Sequence, residues 1–175
     1  MSARNLIRWS GLASVLFGVL LAASGIVRIA KGPPILAVEL AFAGVTVGLF
    51  ALVGMYVRQL ERSGIPGLVG FVVAMIGLAL SLGQLYALTF SPVGTGPLGR
   101  FFPLGYGPFL YGFIVFSLVT IWAGVLPRWA AVLLIVGAVM NVAGIGIVLI
   151  RLIGVVIFGL GAIWLGYALW SSRTA

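Results

Sequence analysis

The stretch LFALVGMYVRQLERSGIPGLVGFVVAMIG, Leu49–Gly77, sets an uncharged apolar run on either side of a short charged connection. The first run reaches back to Pro34 and the second forward to Phe90, with Glu39 the one charge in either. Each is long enough to cross a hydrocarbon core of roughly 30 Å at about 1.5 Å per residue. Two such runs joined by a charged link predict a pair of antiparallel transmembrane helices. The same pattern repeats along the chain.

Composition agrees: the 175 residues are 63% hydrophobic and 7% charged, far too apolar for a soluble domain. Arginines bracket the apolar runs, and spans are read between them: Trp9–Val27, Pro34–Val57, Gly67–Phe90, Tyr106–Leu126, Trp129–Ile150 and Leu152–Ser171. The expected fold is all-α, a single transmembrane domain over 1–175 built as a polytopic bundle of six spans. The first span opens like a signal peptide, with Arg4 and Arg8 before an apolar run ending in LLAASG. Its full spanning length makes a retained helix the expectation. The longest connection, SPVGTGPLGRFFPLGYG (Ser91–Gly107), carries too much Gly and Pro for a continuous helix. It is read as a connection able to cover a pocket. The last turn is expected near Arg151, with the AGIG of Ala143–Gly146 as the alternative.

Six spans put both termini on one side. With the termini inside, the inner cations are Arg4, Arg8, Arg58, Arg62, Arg128 and Arg173, and the outer ones Arg28, Lys31, Arg100 and Arg151. That six-to-four bias and the Trp9, Trp122, Trp129 and Trp170 belt predict cytoplasmic termini. The expected location is the plasma (inner) membrane of a prokaryote. The net charge of +8 is scattered over single residues and close pairs, so it marks topology and headgroups and does not predict nucleic-acid binding.

Absences narrow the chemistry. Without Cys or His there is no thiolate and no imidazole, which disfavours haem, chlorophyll-type pigments and metal sites. Asp is absent too, and the two glutamates, Glu39 and Glu61, are expected at opposite faces of the membrane. Acid–base catalysis lacks its groups, so a non-catalytic protein without cofactor is expected.

Small residues supply helix packing where lipid offers no hydrophobic drive. Gly18 lies between Ser14 and Ala22, Gly44 and Gly48 form a GxxxG, Gly70 pairs with Ala74, and Gly166 pairs with Ala162. The strongly polar intramembrane residues Glu39, Gln84, Tyr111 and Asn141, with Arg28 and Arg151 at the rim, gather in the outer half. Glu39, Ala43 and Thr46 share one helix face, read as facing the bundle interior. Two readings stand: an outward-facing pocket for a cation, polar headgroup or small solute, and a helix clasp between Glu39 and Arg28, Arg151, Gln84 or Asn141. Glu61, beside Arg58 and Arg62, is read as a solvated helix end.

The stretches ALVGMYVRQLERSGIPGLVGF, AGVLPRWAAVLLIVGAV and GLGAIWLGYALWSSR resemble segments of small bacterial multi-span membrane proteins to which no activity is assigned. The resemblance covers roughly two thirds of the chain and implies a six-span fold but no site. Arg151 departs from that pattern. The expected function is an accessory or assembly subunit of a larger membrane complex, or a lipid-binding membrane component. A small transporter or channel around Glu39 is the alternative. Expected partners are membrane lipid, other membrane subunits or a second copy.

Overall fold

The computed structural model of the protein describes residues 3–31, 35–90, 102–144 and 146–171. These form five helices: α1 (Ala3–Lys31), α2 (Ile35–Phe90), α3 (Phe102–Ala123), α4 (Arg128–Ala143) and α5 (Val148–Ser171). Arg100, Arg173 and the connection over 91–101 lie outside the described residues.

The charged link between the two apolar runs of Pro34–Phe90 is helical rather than a loop. Helix continues through Arg58–Ser63, breaks at Gly64 alone (φ 53°, ψ −155°) and resumes at Ile65. Side-chain-bearing residues are excluded from that conformation, so one glycine does the work of a connection. Pro66 follows in the first turn of the second arm, where its missing N–H leaves no bond unmade. The arms, 35–63 and 65–90, lie side by side and antiparallel. Tyr56 stacks on Phe71 with ring centroids 4.4 Å apart, and Phe42 approaches Tyr86 at 6.5 Å.

Other boundaries differ from the sequence expectation as well, and α3 already starts at Phe102, within the stretch read as a connection. α3 stops at Ala123 because Gly124 takes φ 65° and donates its N–H to the Thr120 carbonyl at 3.2 Å. Pro127 then serves as N-cap of α4 instead of ending α3. The last turn falls at the AGIG alternative, where the Gly144 N–H closes α4 on the Met140 carbonyl at 2.9 Å. Arg151 lies inside the first turn of α5, its N–H bonded to the Ile147 carbonyl at 3.3 Å.

The helices close a ring. α1 packs on α5 and on α2, α2 on α3, α3 on α4, and α4 on α5. Small residues set the seams of α1 with α5 and α2, of α2 with α3, and of α4 with α5. Gly18 abuts Gly159 and Ile163, Gly44 abuts Leu20, Gly48 takes the Phe17 ring, and Gly166 meets Gly11 and Val15. Gly112 meets Ala74, joining α3 to the second arm of α2, and Gly137 meets Gly154 and Phe158 across α4 and α5. The four packing glycines expected from the sequence therefore all face into the chain's own seams. Ser14 adds a hydrogen bond from its hydroxyl to the Ala162 carbonyl at 2.7 Å, tying α1 to α5.

Aromatic rings fill the middle of the ring of helices. Phe113 and Phe158 meet edge to face at 5.1 Å, Phe109 lies 5.1 Å from Phe113, and Phe17 reaches both Phe113 and Phe158 at 6.3 and 6.2 Å. The outer surface is as apolar as the interior: Leu12, Leu16, Val19 and Ile26 of α1 point outward while Ser10, Ser14, Phe17 and Ser24 point in. That inversion of a soluble helix suits a lipid environment. Three helices, Asn5–Lys31, Ile35–Leu88 and Val148–Ser171, are long and apolar enough to cross a membrane, and Gly107–Ala123 and Arg128–Ala143 are shorter apolar helices. Trp9, Trp122, Trp129 and Trp170 are exposed around one end of the bundle, the end that carries Ala3 and Ser171.

Among the buried polar residues, one amide is unpaired at both of its polar atoms. Gln59 continues the buried stripe of Val45, Leu52 and Met55, is 1% exposed, and neither its amide nitrogen nor its oxygen has a hydrogen-bond partner. Burying an unpaired polar atom costs about 1–3 kcal/mol. Gln59→Leu is therefore expected to stabilise the fold by about 2 kcal/mol, read as a higher thermal midpoint in detergent. A lower midpoint would mean that the amide is satisfied in the membrane and that this cost is absent.

Candidate functional site

A cavity of about 240 Å³ opens at the end of the bundle away from Ala3 and Ser171. All five helices line it. α1 gives Leu21, Ser24 and Arg28; the two arms of α2 give Ala41 and Val45, then Ser81, Gln84, Leu85 and Leu88; α3 gives Phe109 and Leu110; α4 gives Asn141; and α5 gives Arg151, Leu152, Val155 and Phe158. Phe109 and Phe158, 5.5 Å apart, join it to the aromatic centre. The aromatic cluster thus closes its floor, and the polar groups sit among apolar walls.

Four of the six polar residues expected at a site meet here: Arg28, Gln84, Asn141 and Arg151. They come from four different helices. Asn141 is 2% exposed and its Nδ2 donates to the Gly137 carbonyl at 3.2 Å, which orients the amide along α4. Arg28 and Arg151 are half-buried on neighbouring helices. Ser24 donates its hydroxyl to the Ala37 carbonyl at 2.6 Å, pinning α1 to α2 beside the rim.

Glu39 and Tyr111 are not part of the cavity. Glu39 is exposed, as are Ala43 and Thr46 on the same face, and Tyr111 is 58% exposed. This corrects the inward placement of the Glu39 face. The inward face of that arm instead carries Ala37, Gly44, Val45 and Gly48. The helix clasp through Glu39 is replaced by the glycine seams. Glu39→Gln is accordingly expected to change stability by no more than about 0.5 kcal/mol. A larger drop in thermal midpoint would return Glu39 to a structural role.

Sequence reasoning missed Ser24 and Ser81. Ser81 is 7% exposed, lines the cavity, and its hydroxyl has no hydrogen-bond partner. A signal for it was present: Ser81, Gln84, Leu85 and Leu88 follow one another at i, i+3, i+4 and i+7, so Gln84 marks the face that carries them all. Glu61 is exposed at the helical bend, as a solvated position requires. Among the described residues no three His, Cys, Asp or Glu side chains gather to hold a metal ion. Compared with protein-family models, curated proteins and solved structures, the chain matches none.

Proposed function

We propose that this chain is a six-span, non-catalytic integral membrane protein that binds a membrane amphiphile in the cavity lined by Arg28, Gln84, Asn141 and Arg151. The two arms of α2 and the four other helices each make one crossing. Both termini lie in the cytoplasm, on the side favoured by the cation bias and carrying the exposed tryptophans. The cavity then faces the outer leaflet.

The observation that carries this reading is the cavity's mixed lining on a closed floor. Polar head-binding groups lie beside Leu21, Val45, Leu85, Leu110, Leu152 and Val155, and Phe109 and Phe158 seal the far side. A pocket of that kind holds an amphiphile; the packed aromatic centre argues against a conducting pore. The accessory-subunit reading draws less support, since Gly18, Gly44, Gly48 and Gly166 are taken up by internal seams. The exposed Glu39, Ala43 and Thr46 face is the surface that a partner helix would use.

Native mass spectrometry of the protein extracted from its host membrane in mild detergent tests the choice. One retained lipid-sized mass per chain is the expected result. A stable complex with a different membrane subunit and no retained lipid would overturn it.

A further inference from the structure

Resting on that reading, we infer that the amphiphile is an anion: a singly charged oxyanion, carboxylate or phosphodiester, on an apolar chain. Among the described residues two arginines, Arg28 and Arg151, line the cavity, and no carboxylate residue does. The chain owns only two carboxylate side chains, Glu39 on the outer surface and Glu61 at the bend. Guanidinium keeps its charge under all physiological conditions and presents paired N–H groups that match the two oxygens of a carboxylate or phosphate. In a partly desolvated site near hydrocarbon, two such cations make the entry of a cation costly and of an anion favourable.

Ser81 is the independent observation. Its hydroxyl is buried, lacks a partner and lies in the lining, so it offers a donor to an incoming oxygen. The lining thus brings two positively charged residues and a buried hydroxyl without a partner to one space.

Size sets the rest. At about 30 Å³ per water, the 240 Å³ cavity holds roughly eight water volumes, enough for a head and the first few carbons. A longer chain has to leave past the rim. Leu88 both lines the cavity and is 38% exposed at the surface, marking an apolar exit. A small polyanion would leave the apolar wall unused.

The test measures binding to the purified full chain in a neutral detergent, by thermal shift and native mass spectrometry. The probes are laurate, phosphatidylglycerol, phosphatidylcholine and inorganic phosphate. Laurate or phosphatidylglycerol is expected to bind and raise the midpoint, and their ranking separates a free fatty acid from a phospholipid head. Arg28→Gln with Arg151→Gln is expected to weaken that binding at least tenfold, and Ser81→Ala to weaken it severalfold without loss of folding. Arg28→Lys with Arg151→Lys is expected to weaken it less than the glutamine pair, since the charge stays and the paired N–H geometry is lost. Equal binding of phosphatidylcholine and phosphatidylglycerol would overturn the anion inference while leaving amphiphile binding intact. Inorganic phosphate binding as tightly as laurate would overturn the apolar-chain half. Absence of binding by every lipid probe would instead overturn the proposed function itself.

Discussion

Phe158→Ala is expected to be the most damaging truncation in this bundle, lowering stability by about 3 kcal/mol. Phe158 is 2% exposed and its ring touches those of Phe17, Phe109 and Phe113; unlike Phe113, which also meets the other three rings, it lines the cavity as well. In water such a truncation costs about 3–5 kcal/mol, part of it transfer of the ring out of solvent. Lipid is as apolar as the core, so the transfer part shrinks and lost van der Waals contact carries the remainder. The estimate therefore sits at the lower end. Denaturation in mixed micelles measures it, with Phe158→Leu expected to recover most of the loss. The floor of the cavity should open as well, so that the alanine variant accepts a bulkier ligand. Wild-type stability in Phe158→Ala would show that the four rings do not form a packed unit.

Gly18→Val is expected to cost a similar amount, about 3 kcal/mol, the upper part of the usual range for overpacking. A Cβ at Gly18 would fall within van der Waals contact of the Gly159 carbonyl oxygen and lie 2.8 Å from the Ile163 backbone nitrogen. Backbone cannot swing aside as a side chain does, so α5 has to move bodily. Displacing α5 shifts Arg151 and Leu152, and ligand binding should fall with stability. Gly83 is the control, since a Cβ there meets nothing within 4 Å. Gly83→Ala should be harmless, whereas a wild-type midpoint in Gly18→Val would mean that α1 and α5 are not in close contact.

The helical class was legible because charge marks the ends of apolar runs so cleanly. Helix phase was not legible by the same means. Glu39, Ala43 and Thr46 were placed inward for being small or polar, yet they face out, while Val45, Leu52, Met55 and Gln59 face in. In water, polarity separates outside from inside; in a bilayer both sides of a helix are apolar and that contrast disappears. What survives is the demand for close approach, and Gly44 and Gly48 carried the correct phase on the same arm. Arg28, Gln84, Asn141 and Arg151 were found because each is strongly polar at a matching depth. Ser24 and Ser81 were missed because a hydroxyl is unremarkable in membrane sequence until its neighbours are known. The stretch Arg58–Gly67 reads as a connection because its charges end an apolar run, but apart from Gly64 its residues tolerate helix, and the end of an apolar run does not require a loop.

The pairing of α1 with α5 fixes an order of events in biosynthesis. α1 is made before α5 and must wait for it, because Gly11 and Gly18 pack against Gly166 and Gly159. Until then the seam of α1 is open to lipid, and the wall bearing Arg151 is absent. A chain cut before α5 would be an open arc of helices rather than a smaller version of the same protein. The wall of the cavity is therefore complete only once α5 has been made and has docked on α1.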